Sequence, residues 1–143
     1  MYGRRGTVIV LSFLVLTVLS CRHECENAVA ANAPVSILTP CDQSAVGWHT
    51  LIRGRVSNPK AIVHVIIHPL EVNEHWVQPK IDVKSDGTWE VLAYFGRDGS
   101  VDHGKPFELA AVVNPKTLLE EADQLPDWPD AEARSDIVRV RRD

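Results

Sequence analysis

One stretch constrains the fold of this chain more than any other: Val83–Gly96, where apolar and polar residues alternate around Asp86-Gly87. Asp-Gly between alternating apolar runs is a strong signal for a β-hairpin, because both residue types tolerate positive φ. Beyond the turn, period-two alternation predicts one strand face made of Trp89, Val91, Ala93 and Phe95. A face this large and apolar must be buried, so a β-sheet must be built around it.

Several further short strands are predicted, because alternating or β-branched runs recur with turn signals every eight to twelve residues. Pro79 interrupts the fourth of them, which suits a sheet edge. A capping box at Thr117 and Glu120 predicts one or two helical turns up to Leu125, before the last strand. Residues 41–47 are predicted to form a polar loop. The predicted strands cover residues 35–40, 48–56, 62–68, 76–83, 89–95, 107–113 and 137–141.

This pattern predicts an all-β fold class: an antiparallel β-sandwich of about seven strands, immunoglobulin-like in type, with a short helical insertion before the last strand. The chain of 143 residues is long enough for one domain with a substantial core, here residues 35–143. Four Trp against one Met suit a sheet better than a helical bundle. Alternation places Trp89 and Trp48 in the core, whereas Trp76 and Tyr94 share strand faces with polar residues.

The amino terminus, residues 1–20, has the features of a secretory signal peptide. Two arginines precede an apolar run, Val8–Leu19, which is shorter than the roughly 20 residues of a membrane span but suits a signal core. The run ends in Val18-Leu19-Ser20-Cys21, which resembles the lipobox of bacterial lipoproteins. The resemblance implies diacylglycerol and a further acyl chain, such as palmitate, on Cys21, and a stable anchor in the lipid bilayer. Cleavage after Ala28-Val29-Ala30 and an uncleaved anchor are the alternatives.

The chain beyond residue 20 has thirteen Lys and Arg against nineteen Asp and Glu, a net charge of −6. Nucleic-acid binding is not expected, because it requires a basic face. Arg22 directly after the lipobox favours the outer membrane in a two-membrane cell envelope. With Cys21 acylated, Cys25 and Cys41 remain, and an oxidising compartment predicts a disulfide that joins the tether, residues 21–34, to the first strand. Two free thiols or an intermolecular disulfide are the alternatives.

No residue pattern predicts catalysis, a cofactor or a metal. His64 and His68 share a strand face but lie four residues apart, about 13 Å, which is too far for one ion. The loop at 98–102 contains two carboxylates but lacks the spacing of a calcium loop. Ser100 and His103 lie in one loop region, where side chains rarely align as a nucleophile and its base. The chain is therefore predicted not to be an enzyme.

Three strand signatures resemble the pattern of bacterial Ig-like domains on surface and adhesin proteins: Gly54-x-Val56, Val63-x-Val65 and Val83-x-x-Asp86-Gly87-Thr88-Trp89. The resemblance covers roughly residues 35–113 and implies a non-enzymatic role in display, spacing or binding. The hypothesis is a lipid-anchored interaction module of the cell envelope with a protein partner. The alternative is a carbohydrate-binding module at peptidoglycan or a surface glycan, in which exposed Trp76 and Tyr94 stack on a sugar ring.

The acidic segment 117–134 departs from a plain Ig-like repeat. A run of charge is typical of a solvated loop, although long insertions on a sandwich also carry binding sites. Four apolar residues in this segment must pack on the domain or on a partner: Leu118, Leu119, Leu125 and Trp128.

Overall fold

A computed structural model describes residues 27–143, and this part of the chain forms ten β-strands and no helix. The predicted signal peptide 1–20, Cys21 and Cys25 lie outside the described residues. Residues 27–143 contain no helical segment with the length and hydrophobicity needed to cross a bilayer. The strands are β1 (Val35–Thr39), β2 (Ser44–Val46), β3 (His49–Val56), β4 (Val63–Pro69), β5 (His75–Val77), β6 (Thr88–Tyr94), β7 (Pro106–Pro115), β8 (Gln124–Leu125), β9 (Ala131–Arg134) and β10 (Val138–Arg142).

The strands form two sheets that pack as a β-sandwich, so the coarse prediction of an all-β sandwich is confirmed. The smaller sheet has the order β1-β3-β6, and the larger has the order β2-β10-β7-β4-β5-β8 with β9 beside β7. One core cluster contains residues of both sheets, including Ile52 and Trp89 from the smaller and Val65, Leu109 and Val140 from the larger. The strand pairs are antiparallel except β2 with β10, which pair in parallel.

The predicted apolar face of β6 is the centre of this core. Trp89 and Phe95 are fully buried, whereas Tyr94 on the opposite face is 43% exposed. Trp89 lies opposite Gly54 in the β3–β6 register. A Cβ atom on Gly54 would overlap the indole ring of Trp89 and the carbonyl oxygen of Ser36 in β1. The missing side chain at position 54 therefore provides the space into which the largest core residue fits.

The Asp86-Gly87 turn forms, but the predicted β-hairpin does not, because residues 78–87 contain no strand and β6 pairs with β3 instead. Only Gly87 has a positive φ, +82°, and its N–H donates to the carbonyl of Lys84. The side chain of Asp86 accepts bonds from both the N–H and the hydroxyl of Thr88. The carbonyl of Gly87 accepts from the N–H of Val56, which joins the turn to the end of β3.

The acidic segment covers the outer face of the larger sheet. Leu119, Leu125 and Trp128 pack against Ile66 and Val112, so β4 and β7 are buried on both faces. Of the four apolar residues expected to pack, only Leu118 remains solvent-exposed, at 86%.

The predicted helix at 117–125 is wrong, because its backbone pairs with a strand instead. The N–H of Val77 donates to the carbonyl of Asp123, and the N–H of Ala122 donates to the carbonyl of Val77. The carboxylate of Asp123 accepts from the N–H of Glu120, which replaces the expected cap from Thr117. Pairing with the open edge of β5 therefore outweighs the local capping signal.

Three other predictions about local structure are wrong, and two strands were not predicted. Residues 44–46, expected in a loop, form β2, because the edge of β10 offers them a parallel partner. The strand predicted over 76–83 is confined to β5: the N–H of Gln78 still donates to Val65 in β4, but Pro79 has no N–H with which to continue the pairing. β8 and β9 were not predicted. Trp48 precedes β3 and is only partly buried against Tyr94, at 5.7 Å between ring centroids, rather than being a core residue.

We predict that Gly54→Ala destabilises the protein by about 3 kcal/mol, because the added methyl must displace either the Trp89 ring or the β1 backbone. Urea denaturation followed by tryptophan fluorescence measures the change. Gly47→Ala is the matched control: its Cβ would lie 3.6 Å from the nearest atom, an ordinary contact. We expect a change within about 0.5 kcal/mol in the control, and equal losses in the two variants would contradict the assignment.

Candidate functional site

A cleft of about 530 Å³ opens at one end of the sandwich, between the smaller sheet and the larger. Its walls come from the ends of β4 and β6, the segment after β5, and the loop that leads into β7. Both residues predicted to contact a ligand, Trp76 and Tyr94, line it. The remaining residues that carry its chemistry are Glu71, Gln78, Arg97, Asp102 and Lys105.

The two aromatic walls are accessible to solvent. Trp76, in the middle of β5, is partly exposed, and Tyr94, at the end of β6, is 43% exposed. Trp76 belongs to the larger sheet and Tyr94 to the smaller, so the cleft is bounded by one ring from each layer. Indole and phenol rings provide flat apolar surface with a polar edge, which suits stacking against a ring-shaped ligand.

Gln78 connects the backbones of the two aromatic residues. Its side-chain oxygen accepts from the N–H of Tyr94 at 2.8 Å, and its side-chain nitrogen donates to the carbonyl of Trp76 at 3.3 Å. Its own N–H donates to the carbonyl of Val65 in β4. Gln78 is only 6% exposed. This buried amide therefore fixes the spacing of the two rings, a role that residue parity in the sequence could not indicate.

A chain of ion pairs forms the polar side of the cleft. The Nζ of Lys105 lies 2.7 Å from a carboxylate oxygen of Glu71 and 3.0 Å from one of Asp102. The other oxygen of Asp102 accepts from the backbone N–H of Arg97 at 2.7 Å. That N–H and the Lys105 ammonium hold the pKa of Asp102 well below its usual range. Glu71 first, and then Asp102, raises the pKa of Lys105.

The loop that carries Asp102 is held by local backbone geometry and one buried arginine. Gly96 has φ +73°, and a Cβ there would lie 2.5 Å from a carboxylate oxygen of Asp102. Arg142 is 6% exposed and donates to the carbonyl of Phe95 at 3.2 Å and to that of Gly99 at 3.1 Å. Asp102 is thus a fixed acceptor at the rim of the cleft rather than a mobile loop carboxylate.

The fixed charges of the cleft are already engaged with one another, which limits the chemistry they can perform. One carboxylate oxygen of Asp102 accepts from the Arg97 N–H and the other is paired with Lys105. Within residues 27–143 no three His, Cys, Asp or Glu side chains are grouped so that they could hold a metal ion. What the arrangement offers a ligand is two aromatic faces beside carboxylate, ammonium and guanidinium groups.

A histidine pair beside the cleft was not foreseen from the sequence. The imidazoles of His68 and His75 stack with centroids 4.0 Å apart and planes at 14°. The β4–β5 register pairs Ile66 with Val77 and Ile67 with Trp76, and its continuation brings the two histidines together. The indole of Trp128 meets the His75 ring edge-on at 4.7 Å. A predicted β4–β5 hairpin with this register would have placed the two histidines opposite each other.

The cysteine predictions stay untested. Cys41 is 8% exposed and lies at the turn after β1, whereas Cys21 and Cys25 lie outside the described residues. Asn27, the first described residue, is held beside this turn: its side chain donates to the carbonyls of Ile37 and Pro40 and accepts from the N–H of Asp42. Asn27 is therefore fixed beside the turn that carries Cys41.

No protein-family model matches this chain, and no curated protein matches it either.

We predict that Asp102→Asn lowers stability at pH 7 by about 1–3 kcal/mol, because Lys105 and the Arg97 N–H lose a charged acceptor. The folded-state pKa of Asp102 is depressed. Its contribution is therefore complete above the unfolded value of about 4 and is lost as the pH falls further.

Urea midpoints at pH 7, 4 and 2.5 test this prediction. The variant should lose less stability on acidification than the unmodified chain does. Asp98→Asn removes an exposed carboxylate of the same loop and should leave the acid dependence unchanged. Parallel acid profiles for Asp102→Asn and the unmodified chain would contradict the role given to Asp102.

Proposed function

We propose that this protein is a non-enzymatic, lipid-anchored binding module of the bacterial cell envelope, and that its cleft binds a glycan. The observation that carries the proposal is the position of Trp76 and Tyr94: both are partly exposed, and both line one cleft of about 530 Å³. A small-molecule site is typically a concave, mostly apolar surface with a few fixed polar groups. Peptidoglycan or a surface glycan is the ligand class.

A sugar fits the chemistry of this cleft better than a flat apolar ligand does. The axial C–H groups of a pyranose ring are apolar and pack on an aromatic face, while its hydroxyls need hydrogen-bond partners at the ring edge. Here the aromatic faces of Trp76 and Tyr94 stand beside the carboxylate of Glu71 and the guanidinium of Arg97. A carboxylate can accept from sugar hydroxyls and a guanidinium can donate to them.

A protein partner is the second candidate, and a different surface supports it. On the outer face of the smaller sheet, Leu51 is 40% exposed and Leu92 is 44% exposed, and the two lie directly opposite each other. Trp48 and His49 extend this apolar area toward Tyr94. Apolar groups in such an arrangement are typical of contact surfaces between proteins.

The remaining parts of the proposal concern the anchor and the fold type. Acylated Cys21 would hold the chain on the periplasmic or extracellular side, with the outer membrane favoured by Arg22. A disulfide between Cys25 and Cys41 would join the tether to the domain, and the position of Asn27 beside the turn at Asp42 supports it. The Asp-Gly turn leading to a buried Trp89 supports an immunoglobulin-like type of sandwich.

We predict that Trp76→Ala and Tyr94→Ala each weaken binding to purified peptidoglycan sacculi at least about tenfold, a change of about 1.4 kcal/mol. Loss of either ring removes one of the two stacking faces. Co-sedimentation of the full chain with sacculi at increasing protein concentration gives the dissociation constants. Trp76→Phe keeps a face and should retain most of the affinity.

Leu118→Ala serves as the control, because Leu118 is 86% exposed and lies outside the cleft. If the ring variants bind sacculi as tightly as this control, the cleft is not the glycan site. If the unmodified chain does not bind sacculi, and Leu51→Asp with Leu92→Asp abolishes co-purification of one envelope protein, the protein-partner candidate replaces the glycan.

We also predict that the full chain, expressed in a bacterium, incorporates labelled palmitate and partitions with membranes. Cys21→Ser should abolish the label, because the thioether cannot form on a hydroxyl side chain. Cys41→Ser keeps the lipobox intact and is the matched control. A chain that stays unlabelled, or a label that persists in Cys21→Ser, would rule out the proposed anchor.

A further inference from the structure

We propose that the stacked His68–His75 pair is a pH-sensitive latch, which holds the loop 70–74 against the cleft at neutral pH and releases it in mildly acidic conditions. The inference about the loop stands on its own geometry. Its consequence for ligand binding rests on the proposed function, because this loop supplies Glu71 and Val72 to the cleft.

Each imidazole holds one backbone carbonyl of the loop. The Nε2 of His68 lies 2.9 Å from the carbonyl oxygen of Val72, and the Nδ1 of His75 lies 3.0 Å from that of Asn73. A carbonyl can only accept, so these two nitrogens carry the hydrogens and donate. The other two ring nitrogens, Nδ1 of His68 and Nε2 of His75, are buried and have no hydrogen-bond partner among the described residues.

A second proton on His75 has no acceptor in this arrangement. It would add to Nε2, which is buried without a partner, and it would place a positive charge 4.0 Å from the other ring. Burial first, and then the neighbouring His68, lowers the pKa of His75. Because neutral His75 is favoured in the latched state, the latch is stable above the ordinary histidine pKa of about 6.5 and weakens as the pH falls below it.

The charged groups packed around the pair belong to three other strands and to the loop before β9. Glu108 on β7 lies 3.8 Å from the Nδ1 of His68, and Arg139 on β10 binds the same carboxylate at 3.0 Å. Asp127, before β9, raises the pKa of His75 only in part. The guanidinium of Arg134 on β9 lies 5.5 Å from the centre of the Trp128 ring, and the Trp128 ring contacts His75 edge-on.

The burial of Nε2 is what prevents His75 from taking a second proton in place. The carboxylates of Asp127 and Glu108 partly offset the effect of burial on the pKa of His75, but neither is hydrogen-bonded to that nitrogen. The acidic response therefore falls on His75: its ring must turn out to solvent, and the carbonyl of Asn73 is released. Without the hydrogen bond to Asn73, the loop no longer holds the carboxylate of Glu71 at 2.7 Å from the Nζ of Lys105.

Hydrogen exchange without ligand tests the latch directly. We expect the backbone amides of residues 70–74 in the full chain to lose protection about tenfold between pH 7.5 and pH 5.0, after correction for intrinsic exchange, because His75 binds a proton more readily once its ring has left the loop. His75→Gln keeps a donor for Asn73 but cannot be protonated, so its loop should be equally protected at both pH values. His103→Gln, an exposed histidine outside the pair, should behave as the unmodified chain does.

A loop whose protection does not change with pH in the unmodified chain, or that opens equally in His75→Gln, would overturn the latch. His68→Gln, which keeps a donor for Val72, tests it independently: removing the second imidazole removes one cause of the lowered pKa of His75, so acidification should open the loop less than in the unmodified chain. Sacculus binding separates the two proposals. If the loop opens in acid but the chain does not bind sacculi, the latch stands and the proposal of a glycan ligand is rejected. If sacculi bind with the same affinity at both pH values, the proposal that the latch controls ligand binding is rejected.

Discussion

The fit of the Trp89 ring over Gly54 is the constraint on which the rest of the sandwich depends. Trp89 is among the largest fully buried side chains, and it lies opposite Gly54 on the neighbouring strand. A protein interior is close-packed, so a ring of this size needs a position where the facing strand contributes no side chain. That requirement sets the register of β3 against β6. The register in turn places Tyr94 opposite His49 at the mouth of the cleft.

The cleft exists because the two sheets stay at a fixed separation at that end. Gln78 leaves the edge of β5 and reaches across to the N–H of Tyr94 on β6, so a buried amide spans the gap that an apolar contact would close. The ion pairs of Asp102 then fix the opposite rim. A cleft built in this way keeps its aromatic walls apart without a ligand, which lowers the ordering cost of binding.

The elements that were predicted from the sequence are those with local signals. The Asp86-Gly87 turn, the buried face of β6 and the alternation of β4 depend on neighbours within a few residues, and the structure confirms them. β2, β8 and β9 are two to four residues long, and each forms only because a distant strand offers an edge. The predicted helix does not form for the same reason, since the backbone of Val77 is hydrogen-bonded to Ala122 and Asp123.

The candidate site, like the fold, was predicted from the sequence only in part. Trp76 and Tyr94 were singled out because their strand faces also carry polar residues, and the structure brings both to one cleft. The sequence could not show that Gln78 joins them, or that Lys105 lies between Glu71 and Asp102, because these contacts connect different sheets and loops. Trp48 was misplaced because the parity of β3 was extended one residue beyond the start of the strand.

The position of β10 in the larger sheet has a consequence for biogenesis. This strand lies between β2 and β7, and its Arg139 N–H bonds to the carboxylate of Asp42, 97 positions away. Pairings between such remote segments form slowly, because the loop they close is long. Until residues 138–142 have emerged, β2 has no neighbour and the sheet cannot close. The larger sheet of this topology is therefore completed only after nearly the whole chain has been synthesised.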